Sequence, residues 1–335
     1  MKKFELWKGD CLELMKDIPD GSVDLVLTDP PYGTMKNAPI DSWLNRGEKT
    51  EWDTAIEPVK IFEQISRILR QNGKAVLFSQ EPYTSRLITS TIPSLPFAYR
   101  AVWYKNVSGN SLMAKSAMVS RYEDICIFSK LGHDYCGENP LREYFAKVYE
   151  FIGKTKKEIM QIVGQKADHC FRLNSSQYSL CTEQTYQELI DVFGIDKMQG
   201  FIEYAELRRT QDEYTQKYAS VFNLWQGGKS KSNVLEYKKD NDGYHPTQKP
   251  VALLEDLIQT YSNEGDTVLD FTAGSMSTVI ACINTNRNCI AIEKDEHYFS
   301  VGCKRVHNHI LDNNIDEGYF NIAKKRIEEA VNDLP

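Results

Sequence analysis

A short run of acidic, imino and aromatic residues, Asp29-Pro30-Pro31-Tyr32, directly follows an apolar segment. The two prolines remove two backbone donors and hold the chain extended. The Asp29 carboxylate and nearby carbonyl groups then form a rigid edge of hydrogen-bond acceptors, and the flat ring of Tyr32 lies beside it. Such an edge suits an exocyclic amino group, which offers two hydrogens. The alternative interpretation is a proline-rich loop capped by an aromatic residue.

A second motif, residues 269–278 (LDFTAGSMST), is a predicted strand that ends in small residues before a predicted helix. This arrangement exposes backbone N–H groups and a helix N-terminus to a ligand. Glu293 ends the next predicted strand, where a carboxylate can bind the two hydroxyls of a ribose. Together these features predict a nucleoside cofactor. The loop has one glycine and no lysine, which disfavours dinucleotide and nucleoside triphosphate sites. A plain strand–turn–helix connection is the alternative.

Two further segments have a fixed order relative to these motifs. Gly9-Asp10-Cys11 precedes the first motif, and His245-Pro246-Thr247-Gln248-Lys249-Pro250 precedes the second. With these segments the chain resembles the S-adenosylmethionine-dependent DNA amino-methyltransferases of the permuted β class. In that family the catalytic motif comes first, a variable region second and the cofactor loop last. The flanks Trp103-Tyr104-Lys105 and Arg121-Tyr122-Glu123 resemble a later hairpin motif of the same family.

The resemblance implies a doubly wound, Rossmann-like α/β sheet with a circularly permuted motif order. It assigns residues 1–137 and 238–335 to the catalytic domain. Residues 138–237, which are polar, tyrosine-rich and helical in pattern, fall in the position of a helical target-recognition insert. Within that insert, residues 155–193 predict two helices. They form either a helix-turn-helix reader or a helical packing domain.

The resemblance also assigns roles to residues. The catalytic residues are Asp29, Pro30, Pro31 and Tyr32. S-adenosylmethionine, which leaves as S-adenosylhomocysteine, is expected to contact Asp10, Cys11, Asp29, Lys249, Asp270, Phe271, Thr272, Ala273, Gly274, Ser275, Ser277, Thr278 and Glu293. The family's cofactor loop has a second glycine where this chain has Met276-Ser277, and we expect the Met276 side chain to narrow the methionine pocket.

The activity that the resemblance implies is methylation of adenine N6 on a base flipped out of duplex DNA. Tyr32 would stack on the base, while Asp29 and the Pro30 carbonyl accept the two amino hydrogens. In the family, DPPY is more frequent among adenine-N6 enzymes and SPPY among cytosine-N4 enzymes. The alternatives are cytosine N4, RNA or a protein glutamine as the substrate, a non-catalytic DNA-binding module, and a Rossmann oxidoreductase.

Basic residues near the Asp29 motif are candidate phosphate contacts, namely Lys36, Lys105, Lys115 and Arg121. A second basic stretch contains Lys229, Lys231, Lys238 and Lys239. Solvated loops are the alternative interpretation for both groups. His169-Cys170 with Cys181 does not match the ligand spacing of zinc sites, so no metal is predicted.

The intervening residues predict the elements that hold these motifs in place. Predicted strands cover 4–9, 23–27, 74–78, 98–104, 124–128, 267–271 and 288–292, and predicted helices cover 10–18, 57–70, 250–261, 278–284 and 295–333. Alternating strands and helices indicate a parallel sheet. The pair 98–104 and 124–128 is expected to be antiparallel at its edge.

Composition limits the class of protein further. The chain has 335 residues, a net charge of -7 and 41% hydrophobic residues, which disfavours a general nucleic-acid coat protein but not a nucleic-acid enzyme. Its eight cysteines form no CxxC pair, and no apolar run or signal-like segment occurs. We therefore expect a cytoplasmic protein, in a bacterial or phage-infected cell, with duplex DNA as its partner and no membrane. A homodimer and a separate restriction endonuclease remain open as further partners.

Overall fold

The computed structural model describes residues 4–33, 54–105, 115, 118–130, 139–175, 177–218, 220–225, 227–240, 243–244 and 247–313. The chain divides into two compact units. The first comprises Met1–Leu131 and Ser220–Pro335, and the second comprises Gly132–Ala219. None of the described helices is both long and apolar enough to cross a membrane.

The first unit contains an eight-stranded sheet within the described residues. Its strands are β1 (Phe4–Lys8), β2 (Val23–Thr28), β3 (Leu69–Ser79), β4 (Phe97–Tyr104), β5 (Tyr122–Ser129), β6 (Val234–Glu236), β7 (Thr267–Asp270) and β8 (Asn288–Glu293). The order across the sheet is β1-β8-β7-β2-β3-β5-β4-β6. The neighbouring pairs β1–β8, β8–β7, β7–β2 and β2–β3 are parallel. Strand β5 is antiparallel to both β3 and β4, and β6 is parallel to β4.

Ten α-helices accompany these strands in the described residues. They are α1 (Cys11–Leu14), α2 (Pro58–Ile68), α3 (Tyr83–Thr89), α4 (Leu141–Ile152), α5 (Lys156–Val163), α6 (Glu183–Phe193), α7 (Tyr204–Tyr218), α8 (Val251–Tyr261), α9 (Ser277–Asn284) and α10 (Glu296–Asp312). Helices α4 to α7 belong to the second unit and the others to the first.

Helices cover both faces of the sheet. Leu25 and Leu27 of β2 belong to a core that includes buried residues of α8, α9 and α10. Val26, between them, belongs to a second core with Ile61 and Ile65 of α2. Because successive side chains of a strand point to opposite faces, a continuous apolar strand needs a helical layer on each side. This arrangement confirms the predicted doubly wound α/β fold and the antiparallel pairing of β4 with β5.

Two elements of the first unit were not predicted from the sequence, α3 and β6. Strand β6 has three residues in a polar segment, so it carries too short a pattern to be recognised before its partner β4 is known. The predicted insert therefore extends too far, to residue 237. The second unit ends at Ala219, and Asn223 already donates its backbone N–H to the Thr260 carbonyl of α8, at 2.8 Å.

The second unit has its own hydrophobic core, formed by residues of α4 to α7 and of the turns between them. Phe145 lies near its centre, in edge-to-face contact with the rings of Tyr144, Phe171 and Tyr186. Helix α5 ends at residue 163 and α6 begins at residue 183. The connection is too long for the turn of three to four residues in a helix-turn-helix motif, so that hypothesis is wrong for this pair. The four helices pack as a helical unit.

Candidate active site

The carboxyl ends of the parallel strands bring the two sequence motifs together. Strand β2 lies between β7 and β3, so the loop after Thr28 lies beside the loop after Asp270. The Thr28 hydroxyl donates to Asp270 Oδ1 at 2.8 Å, and its Oγ1 lies 2.7 Å from Thr272 Oγ1. Hydrogen bonds therefore join the Asp29 motif to the loop at 271–276.

Both oxygens of the Asp29 carboxylate have partners. The Tyr32 hydroxyl donates to Oδ1, and the Lys249 ammonium donates to Oδ2. The Tyr32 ring lies 5.9 Å from the ring of Tyr83, whose hydroxyl donates to the Ile56 carbonyl. Burial raises the pKa of Asp29 and that of the Tyr32 phenol. The carboxylate therefore lies in a weakly hydrated site, where its hydrogen bonds are strong and selective.

Lys249 belongs to a chain of alternating charges that the sequence did not predict. Its ammonium lies 3.1 Å from Glu123 Oε2, and Glu123 Oε1 lies 2.6 Å from the ammonium of Lys105. Strand β5 is antiparallel to β3, so its first residues, including Glu123, lie at the same edge of the sheet as Asp29. In the sequence, Glu123 is recognisable only as part of a flank, because no neighbouring residue indicates its partner.

The candidate cofactor loop connects β7 to α9. The Glu293 carboxylate at the end of β8 accepts from the Gly274 N–H at 2.7 Å and from the Asp295 N–H at 2.7 Å. Burial raises the pKa of Glu293. Each carboxylate oxygen can accept more than one hydrogen bond, so Glu293 retains capacity for ribose hydroxyls. Asp10 is half-buried at the end of β1 and accepts from the Leu12 N–H at 3.0 Å.

The predicted cofactor residues divide into two groups by exposure. Five of them are at least partly accessible: Asp10, Asp29, Thr272, Gly274 and Glu293. The remaining ones are buried: Cys11, Lys249, Asp270, Phe271, Ala273, Ser275, Ser277 and Thr278. The accessible group combines carboxylates with backbone at the carboxyl ends of adjacent parallel strands, which fits a nucleoside cofactor.

The two serines of the loop are buried and contact an arginine of α10. The buried guanidinium of Arg305, on α10, donates to Ser277 Oγ at 2.7 Å and to the Ser275 carbonyl at 3.2 Å. The same guanidinium lies over the ring of Tyr244, 4.7 Å from its centroid. Arg305 therefore stabilises the conformation of the loop through these buried hydrogen bonds. Cys11 does not supply a thiolate, because burial raises its pKa to about 12.

Met276 does not narrow the cofactor site, so that expectation was wrong. The residue adopts a left-handed backbone with φ of 60° and caps α9. Its side chain is fully buried among core residues, and a Cβ on Gly302 of α10 would lie 2.3 Å from its Cγ. The side chain therefore points into the α9–α10 core, where the missing side chain of Gly302 makes room for it.

The predicted DNA contacts have mixed outcomes. Lys105 is buried and paired with Glu123, so it does not present its charge to a phosphate. Lys231 is partly buried and forms an ion pair with Asp256. Lys115 and Arg121 are exposed, and Lys36, His245 and Pro246 lie outside the described residues. In the part of the chain that the structure describes, no group of three or more metal-ligating side chains occurs.

The sequence profile of the DNA methylase family, which covers N6 and N4 methyltransferases, matches residues 23–304. The chain therefore belongs to this family, which confirms the resemblance seen in its motifs. It is a DNA methyltransferase of the N6/N4 class, and its cofactor is S-adenosylmethionine.

Individual relatives extend over most of the chain. A DNA adenine methyltransferase of Escherichia coli K12, YhdJ, is 27% identical over 301 residues, covering 89% of this chain and 81% of the relative. Two solved structures share the fold at a TM-score of 0.50. The M1.HpyAVI complex with S-adenosylmethionine is 18% identical and covers 90% of this chain and 99% of that one. The cytosine-N4-specific PvuII DNA methyltransferase is 16% identical and covers 98% and 94%.

Proposed function

We propose that this protein transfers a methyl group to adenine N6 in duplex DNA. The observation that carries the proposal is the Asp29–Tyr32 site, a half-buried acceptor edge beside an aromatic face. Adenine N6 is an exocyclic amino group, and an unpaired base gives access to both of its hydrogens. The similarity to an adenine methyltransferase over 89% of the chain supports adenine as the base.

In this proposal the residues of the Asp29 motif hold the base and its amino group. The ring of Tyr32, backed by that of Tyr83, offers a stacking surface to the flipped base. The Asp29 carboxylate and the Pro30 carbonyl accept the two amino hydrogens, which directs the nitrogen lone pair away from them. After methyl transfer the nitrogen carries a positive charge, and it loses one proton to Asp29 and then to water. Positioning supplies most of the rate enhancement.

S-adenosylmethionine supplies an electrophilic methyl group whose bond to sulfur breaks as the bond to nitrogen forms, the sulfur keeping the electron pair. Glu293 and the backbone of Gly274 hold the nucleoside part in this proposal, and Asp10 lies at the same edge of the sheet. Asp270 holds the loop itself, because its carboxylate accepts from Thr28 and Thr278.

We further propose that the second unit, Gly132–Ala219, which contains most of the predicted insert at 138–237, recognises the target sequence. Lys115 and Arg121 are exposed and keep their proposed role as phosphate contacts, together with Lys36. We do not propose Lys105 as a phosphate contact, because it is buried and paired with Glu123.

The test uses methyl-labelled S-adenosylmethionine, unmethylated duplex DNA of mixed sequence, and the variant Asp29→Asn. We expect labelled N6-methyladenine from the wild type and a rate at least about 100-fold lower in the variant, because the amide removes the charged acceptor. Cofactor binding by equilibrium dialysis should change little. Asp256→Asn is the matched control, since Asp256 is likewise paired with a lysine, Lys231.

The identity of the labelled nucleoside decides the substrate. Labelled N4-methylcytosine would mean that the target base is cytosine and not adenine. The proposed mechanism would still apply, because the same acceptor edge suits any exocyclic amino group. If no DNA nucleoside carries label while the cofactor still binds, the proposal is wrong.

A further inference from the structure

The Asp29 carboxylate has no unengaged oxygen in this structure. The Tyr32 hydroxyl occupies Oδ1 and the Lys249 ammonium occupies Oδ2. Asp29 keeps lone pairs for a further hydrogen bond, but it accepts an amino hydrogen at full strength only when its ion pair with the Lys249 ammonium loosens, because that pair offsets the charge of the carboxylate. The hydroxyl of Tyr32 is neutral, whereas Lys249 holds the carboxylate by charge. The stronger competitor with the substrate is therefore the ammonium.

A buried ammonium cannot simply leave its counter-ion. The Lys249 side chain is 6% exposed, and its Nζ lies 5.1 Å from the centroid of the Phe78 ring. An unpaired charge in such surroundings is strongly destabilising, because neither water nor another charge compensates it. Release of Asp29 thus requires a second anion within reach of the same ammonium.

Glu123 is that second anion. Its Oε2 lies 3.1 Å from Lys249 Nζ, the same ammonium that donates to Asp29. Its other oxygen, Oε1, is held by Lys105 at 2.6 Å. The Glu123 side chain is 14% exposed, so this carboxylate also lies away from bulk water. Lys249 therefore lies between two carboxylates, of which one belongs to the Asp29 motif.

The surrounding charges keep Glu123 ionised. Burial raises the pKa of Glu123, but the nearby ammonium groups of Lys249 and Lys105 outweigh burial and leave that pKa lowered. Burial lowers the pKa of Lys249, and the charges of Asp29 and Glu123 outweigh it and leave that pKa raised. Lys239 also lies in the field of this cluster, and burial lowers its pKa.

We propose that Glu123 is a positioning residue that takes over the ammonium of Lys249 while Asp29 binds the amino group of the substrate. The exchange forms and breaks no covalent bond, and no proton moves between the three side chains. It keeps Lys249 paired at every stage, so freeing Asp29 costs little. The inference rests on the proposed function insofar as the substrate offers an amino group to Asp29.

The test is a double-mutant cycle on the single-turnover methylation rate, with Glu123→Gln and Lys249→Met. In the wild-type background we expect Glu123→Gln to lower the rate at least about 10-fold, since the neutral amide holds the ammonium less well. The dissociation constant of S-adenosylmethionine should stay within about twofold. In the Lys249→Met background the same change should have no further effect on the rate, because Glu123 acts through Lys249.

Two further variants separate this role from a structural one. Glu123→Asp keeps the negative charge and should recover part of the lost methylation rate. If Glu123→Gln does not fold, Glu123→Asp takes its place in the test. Asp256→Asn removes a comparable buried partner, that of Lys231, and should lower stability without changing the rate.

The outcomes are distinguishable from failure of the proposed function. Wild-type protein that labels no DNA nucleoside would overturn the proposed function itself. Active wild type with an unchanged rate in Glu123→Gln would overturn the role of Glu123. Equal rate losses in both backgrounds would do the same, because a general structural effect is independent of Lys249.

Discussion

Asp270 is a buried carboxylate whose hydrogen bonds hold the loop between β7 and α9 in place. It is 4% exposed, and its oxygens accept from the hydroxyls of Thr28 and Thr278 and from the Thr272 N–H. Burial raises its pKa from 3.8 to about 6, with the hydrogen bonds opposing the shift. The folded protein therefore binds this proton more tightly than the unfolded chain does.

The raised pKa of Asp270 predicts a pH-dependent component of stability. Stability from this group falls as pH rises from about 4 through about 6, since the ionised form is disfavoured only in the folded state. A shift of about two pKa units corresponds to about 3 kcal/mol. Urea unfolding of wild type and Asp270→Asn between pH 4 and pH 7.5 should give a stability difference that changes by up to that amount. Parallel pH profiles would contradict the prediction.

At the scale of elements, α9 and α10 meet where Met276 packs against Gly302. Alanine normally stabilises a helix interior by up to about 1 kcal/mol relative to glycine. At position 302 a Cβ would lie 2.3 Å from Met276 Cγ and 3.1 Å from the Gly274 carbonyl oxygen. The packing conflict should therefore outweigh helix propensity, because overpacking a core typically costs 1–3 kcal/mol, of that order here.

Gly302→Ala is therefore expected to destabilise the protein by roughly 1–2 kcal/mol in denaturant unfolding. In a Met276→Gly background the main obstacle is absent, and glycine also suits the left-handed backbone at position 276. There the same Gly302→Ala change should be neutral or stabilising. If Gly302→Ala stabilises the otherwise wild-type protein, the contact does not limit packing between α9 and α10.

On the scale of the whole molecule, the chain contains two separately packed units. The sheet of the first unit is assembled from segments on both sides of the second unit in the sequence. The second unit has its own core, which includes Leu141, Phe145, Ile159 and Leu189. Its helix α5 is also locally specified, by a capping box between Thr155 and Glu158.

We predict that residues 139–218 fold when expressed alone. The fragment should show helical far-ultraviolet circular dichroism and a cooperative thermal transition, because chains of this size with a single core can fold alone. Phe145→Ala is the negative control, since loss of that fully buried ring costs about 3–5 kcal/mol and should unfold so small a unit. A fragment with a coil spectrum would show that its core depends on the rest of the chain.

Local patterns in the sequence determined much of the first unit. The strand over 23–27 is readable from its apolar residues, which only Asp24 interrupts, and Pro250 marks the start of α8. The order of the motifs and the α/β rhythm predicted the fold and the family, and the Asp29 motif and residues 269–278 follow or end neighbouring strands of the sheet. Each strand, helix or motif is recognised from residues close together in the sequence, and only their order extends along the chain.

The tertiary structure alone decided which charges face each other. Lys249 and Asp29 are 220 residues apart, and Lys105 and Glu123 meet only because β4 and β5 pair. The sequence predicted that Lys105 contacts a phosphate and that the Met276 side chain narrows the methionine pocket. A side chain's partner depends on strand order and helix packing, which local residue types do not encode. Ion pairing and burial therefore became readable only once the sheet had been assembled.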